Sequence, residues 1–119
     1  MVEELENELK QIETTIEELK TFVARRDQLK RLAANKDFQE LIEEQYLIHE
    51  SSRMLLLRDD PNLPADKKVH LEADMYGPGA LKRYFSTIFQ LGNIAENNIS
   101  EMQETAEEIN DQIANGEAE

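Results

Sequence analysis

Cysteine is absent from this 119-residue chain, which excludes disulfides, thiolate metal sites and a cysteine nucleophile. Tryptophan is missing too, and glycine and proline are scarce, at four and three. No apolar run approaches the roughly 18 residues a bilayer span requires. The opening "MVEELENELK" is acidic, whereas a signal peptide begins basic and continues apolar. Together these absences predict a protein of a reducing cytosol that makes no membrane contact. No alternating β-branched run is present, so strand signals are weak. An all-α chain follows, with helical content well above the ~30–35% average.

Basic residues are missing from one whole region. From Gly92 to Glu119 there are eight acids and no Lys or Arg. From Met1 to Val23 seven acids face only Lys10 and Lys20, while residues 24–91 hold eleven acids and eleven bases. The net charge of −13 therefore sits at the two ends, with a neutral middle. Such ends repel phosphate backbones, so no direct nucleic-acid contact is expected, and they attract basic protein surfaces.

Three breaks punctuate the chain. In "AANKDFQE", Asn35 can close a helix in the left-handed conformation, and Asp37 with Glu40 reads as a capping box. In "RDDPNLPADKK", Pro61 and Pro64 forbid helix continuation. In "MYGPGALK", Pro78 suits a first helical turn, and Gly77 and Gly79 suggest a hinge. These breaks predict helices over about 2–34, 37–58, 66–75 and 79–114. They would form a single helical domain, with coiled-coil arms at 1–23 and 92–114, a helical body at 24–91 and a disordered tail at 115–119.

The first helix carries Val2, Leu5, Leu9, Ile12, Ile16, Leu19 and Val23 at alternating steps of three and four, a heptad seam. The next slot holds Arg26, where the seam is expected to fail. The last helix repeats the pattern through Leu81, Phe85, Ile88, Gly92, Ala95, Ile99, Met102, Ala106, Ile109 and Ile113. The matching parts are each about 33 Å long. An antiparallel hairpin works with paired positions summing to 111, setting Leu19 against Gly92, or with a one-heptad shift to 118. Both registers, and a parallel self-associating coil, fit the sequence. Flanking the last seam are Glu96, Asn98, Gln103, Thr105, Asn110 and Gln112, mostly uncharged, so the pairing meets little like-charge repulsion.

In the middle, "FQELIEEQYLIHESSRMLLL" places Phe38, Leu41, Ile42, Ile48, Leu55 and Leu56 on a broad apolar face, with Tyr46, Leu47, Met54 and Leu57 outside it. The run Met54 to Leu57 covers every side of a helix end, which one neighbouring helix cannot bury. Either the short helix at 66–75 and the last helix enclose them, or another subunit does; the favoured solution is oligomerisation through Phe38, Tyr46, Met54, Leu55, Leu57, Tyr84 and Phe85.

Chemistry is sparse. The pairs Glu43–Glu44, Asp59–Asp60 and Glu107–Glu108 diverge on a helix and read as solvated faces. His70 and Asp74 share a helix face but have no third ligand at helical spacing, and His49 reads as a packing or rim residue. Ser51 and Ser52 lack a nucleophile motif, and "YGPGALK" lacks the strand and the Gly-Lys-Ser/Thr ending of a phosphate loop. No metal or other cofactor is expected. The cluster Arg25, Arg26, Lys30 and Arg31, with Lys36 beyond, reads as pairing with Glu40, Glu43 and Glu44. Lys82–Arg83 beside Tyr84–Phe85 has no RNA-binding motif around it.

Asp37–Phe38, Leu41–Ile42, Tyr46, Glu50, Arg53, Leu55, Leu57 and Asp60–Pro61 stand in the first part of a longer pattern. Gly79, Leu81, Tyr84–Phe85, Gly92 and Ala95 complete it. Over residues 25–108 it resembles a group of small, acidic, helical proteins encoded in tailed-bacteriophage structural gene clusters. The resemblance implies no active site. It implies a homo-oligomer contacting other virion proteins, located in the host cytoplasm or the virion. A second reading has the outer acids Glu101, Glu104, Glu107, Glu108 and Asp111 occupying a basic groove on a host protein, as a DNA mimic would.

Overall fold

A computed structural model of the chain describes the backbone of residues 2–118 and the side chains of residues 2–116. Every regular element among the described residues is helical. A long helix, Val2–Ala33, opens with Glu3 and Glu4 and closes with Lys30 and Arg31, charges that complement the helix dipole at both ends. The chain turns at Ala34 and Asn35. Asn35 is extended, with φ −76° and ψ 128°, and its side-chain oxygen accepts from the Phe38 amide at 3.0 Å. It is therefore the N-cap of the next helix, not a left-handed C-cap; among the described residues none has positive φ. The Gln39 amide side chain donates to the Ala33 carbonyl at 2.7 Å, covering an acceptor that the first helix leaves open.

The second helix runs continuously over 36–58: an α-turn at Lys36–Phe38, a π-helical stretch at Gln39–Glu50, and α-helix again at Ser51–Arg58. π-winding is rare and usually confined to one turn. Where it gives way, the Ser51 and Ser52 hydroxyls donate back to the Leu47 and Ile48 carbonyls. Beyond Arg58 the Asp60 carboxylate accepts from the Asn62 amide at 2.9 Å, the Asx turn that a cluster of Asp and Asn favours. A short helix, Ala65–Asp74, follows, and Met75 alone separates it from the last helix, Tyr76–Ala118.

That last helix is longer than expected at both ends. Pro78 lies in its first turn, where backbone amides have no intrahelical acceptor to lose. Gly77 and Gly79 are ordinary helical residues, so the expected hinge is absent. At the other end the helix passes through Asn115 and Gly116 to Ala118, where a disordered tail was expected; Glu119 lies outside the described residues.

The chain divides into two compact units, residues 1–27 with 88–119, and residues 28–87. The first is an antiparallel pair of helical arms. The second, the body, gathers the second and short helices with the adjoining ends of the two long ones.

Candidate interaction surfaces

In the paired arms Ile16, Ala95 and Ile109 are buried. Val2, Leu5, Leu9, Ile12, Leu19, Val23, Ile99, Met102, Ala106 and Ile113 are half-buried. The register is fixed at two well-separated points. A Cβ built on Gly92 would stand 2.9 Å from Arg26 Cγ and 2.7 Å from Cδ, and one on Gly116 would stand 3.7 Å from Val2 Cγ2. Both pairs sum to 118, which selects the shifted alternative. Carried along the seam by steps of three and four, it sets Leu9 level with Ile109, Ile16 with Met102 and Val23 with Ala95.

Arg26 corrects the expectation that the seam ends at Val23. It occupies the next seam slot with only 4% of its surface exposed. Its aliphatic stem lies across the backbone at Gly92, as long cationic side chains do when the charged head can reach polar partners. Guanidinium Nη1 donates to Asn93 Oδ1 at 2.8 Å and Glu96 Oε2 at 2.7 Å, while Nε and Nη2 both donate to Asp27 Oδ1 at 3.2 Å. Asn93 and Glu96 are three apart, hence on one helix face. The Glu96 hydrogen bond, helped by Asp27 and opposed by burial, raises the Arg26 pKa above its ordinary value. The basic cluster at Arg25–Arg31 thus commits Arg26 to the facing arm, not to Glu40, Glu43 and Glu44. Beside this layer is a shallow cavity of about 350 Å³ that includes Val23, Ala24 and Ile99.

The body packs through Tyr46, Leu47, Met54 and Leu57, expected outside the broad apolar face, together with Phe38 and Ile42 from that face. Met54 is 3% exposed, and Phe38, Ile42, Tyr46, Leu47 and Leu57 are half-buried. Phe38 meets Phe85 edge-on with ring centroids 5.8 Å apart, and Tyr84 adjoins Phe85 at 6.1 Å. The Tyr46 hydroxyl fills the space where Gly77 would carry a Cβ. Of the seven residues assigned to subunit contacts, Phe38, Tyr46, Met54, Leu57 and Phe85 therefore pack inward. Leu55 and Tyr84 remain exposed. The helix is apolar on two sides, and periodicity cannot say which side the body takes. Tyr46 fitting against Gly77, together with the Phe38–Phe85 contact, favours the side now inside.

A cavity of about 390 Å³ is lined in part by Tyr46, Met54, Leu71 and Asp74. At its edge Arg53 Nε donates to Glu50 Oε2 at 3.0 Å, and Nη2 donates to Oε1. This pairing lowers the Glu50 pKa, against the opposing pull of desolvation. No cysteine, serine or histidine lines either cavity. His49, His70 and Asp74 are exposed, and no group of three or more potential metal ligands occurs among the described residues. No helix among them is long and apolar enough to cross a membrane.

No protein family, curated protein or solved structure matches the chain.

Proposed function

We propose that the chain is a non-enzymatic helical protein that works through protein–protein contacts in the structure or assembly of a tailed-bacteriophage virion. It associates with itself and with other virion proteins, in the host cytoplasm or the particle. The observation that carries this reading is the apolar surface of the body. Leu41, Ile48, Leu55 and Leu56, all on the second helix, stay exposed, although the same helix has an apolar face turned inward. Exposed apolar clusters of this kind mark contact surfaces. The arms, by contrast, use their seam on each other and present acids outward. The bacteriophage setting rests on the sequence resemblance.

Light scattering coupled to size exclusion tests self-association: an oligomer at micromolar concentration is expected, and a monomer at all accessible concentrations removes that part of the reading. Sedimentation of the chain with purified particles tests the virion role. Its absence from both particles and assembly intermediates would refute that role.

A further inference from the structure

The second helix and its own sequence disagree about winding. Residues seven apart complete almost two whole turns of an α-helix, and Leu41, Ile48 and Leu55 have that spacing. Through Gln39–Glu50 the chain is π-helical instead, at about 4.4 residues per turn, which does not keep these three on one side. Burial departs from the α period as well. Ile42, Tyr46 and Glu50, each four apart, are half-buried, and so are Glu43, Leu47 and Ser51. Gln39 and Arg53, each seven from Tyr46, are exposed, as is His49, seven from Ile42. An α-helix would have placed all three inside.

The effect of the π stretch is felt at its two ends. Phe38 lies edge-on against Phe85, and Met54, sixteen residues on, is 3% exposed. At about 100° per residue an α-helix would turn them about 160° apart, so only one could face the body. The wider winding brings both to the same side. Such a run is rare, because π-winding is usually confined to a single turn. Packing at the two ends therefore opposes the winding that the backbone prefers.

We infer that Gln39–Glu50 is a winding switch. In its π-wound state the helix keeps both Phe38 and Met54 inside the body. In its α-wound state it keeps Met54, the more deeply buried of the two, and swings Phe38 away from Phe85. That rotation aligns Leu41, Ile48 and Leu55, all already exposed, into one stripe clear of Met54. No intermediate winding satisfies both ends, so the states are discrete, as in other sequences that have two packings close in energy. A partner that binds the aligned stripe would draw the chain toward the α-wound state. The inference does not depend on the virion role, and its test reads the winding directly.

Nuclear magnetic resonance on the full-length chain distinguishes the two states. Couplings across hydrogen bonds should join the Tyr46 amide to the Leu41 carbonyl, five residues back; a dominant bond to Ile42 would overturn the inference. Relaxation dispersion should show one exchange process shared by residues 36–50 and Phe85, with a helical minor state populated at about 0.1–10%. Flat profiles there, or a minor state with unfolded shifts, would overturn it too. Phe38→Ala removes a contact that only the π-wound state makes. It should raise the minor population at least about tenfold or make it the major form. Deleting Glu44 and Gln45, both exposed, supplies the converse. Phe38 and Met54 then stand fourteen apart, about 40° from one line in an α-helix, so α-winding satisfies both ends. This variant should keep its helical circular dichroism, show α-type couplings throughout and lose the exchange. Persistent exchange in it, or an unchanged population in Phe38→Ala, would refute the switch.

Discussion

The paired arms and the body solve the same packing problem differently. The arms carry sixteen acids against four bases, the body ten against nine, so almost all the net charge belongs to the arms. Yet the more charged unit leaves less of its apolar stripe exposed. Its seam positions are all buried or half-buried, and its exposed large apolar residues among those described are Leu91 and Ile94, off the seam, while the body exposes Leu32, Leu41, Ile48, Leu55, Leu56, Val69, Tyr76 and Tyr84. One stripe per helix can be covered by one partner helix. A helix with two stripes needs two partners, and the body's second helix has one apolar side left over.

The strongest test of this contrast truncates a buried residue in each unit. Met54→Ala should cost about 2–5 kcal/mol, as should Ile16→Ala, because each removes well-packed methylenes and leaves a cavity. Amide hydrogen exchange tells the units apart: Met54→Ala should deprotect mainly residues 36–74, and Ile16→Ala mainly 2–27 and 92–116. Uniform loss of protection in both variants would mean that the two units unfold as one.

A smaller effect is expected at Gly92. Glycine inside a helix is normally worse than alanine by about 1 kcal/mol. Here a methyl group would meet the stem of Arg26, so Gly92→Ala should instead destabilise by about 1–3 kcal/mol, the usual range for overpacking. In an Arg26→Ala background the cost should shrink but not vanish, because the Cβ of residue 26, the nearest contact, remains. Chemical denaturation of the four proteins measures the coupling, and additive effects would contradict the close approach.

Smaller again is Leu41→Ser, which should change unfolding free energy by no more than about 0.5 kcal/mol at concentrations where the chain is monomeric. A larger loss would show that Leu41 is packed within its own chain. The weakest effect belongs to Glu50. Its folded pKa lies below the ordinary value of 4.5 because Arg53 binds the carboxylate. The associated stability is therefore fully present above that value and is lost as pH falls from there through the lower folded pKa. Glu50→Gln should flatten the decline of Tm below about pH 5 and leave Tm near neutrality almost unchanged.

Much of this fold is legible in the residues. The steps of three and four in the terminal helices identify the seam, and Pro61, Pro64 and the Asp/Asn cluster mark the break before the short helix. The register is not legible, because a heptad repeat is indifferent to a shift of seven. Only the Arg26–Gly92 layer breaks the repeat, and reading Arg26 as a charge, not as a hydrocarbon stem with a charged end, hides that layer. The interaction residues of the body are the least legible. Tyr46 and Met54 are large and mostly apolar, as Leu41 and Ile48 are, and the choice between them depends on contacts distant in sequence, such as Tyr46 with Gly77. Asn35 illustrates the same limit on a smaller scale: asparagine suits both the end of one helix and the start of the next.

The Arg26–Gly92 rung also constrains how such a protein can change in length. Inserting one heptad after Arg26 alone, or before Gly92 alone, would leave every greasy position in phase while sliding the guanidinium off its glycine notch. Insertions before Arg26 or after Gly92 would leave the rung in place. On that side of the rung each arm can change length by itself, while on the other side the two grow or shrink only as a pair, like the two sides of a ladder.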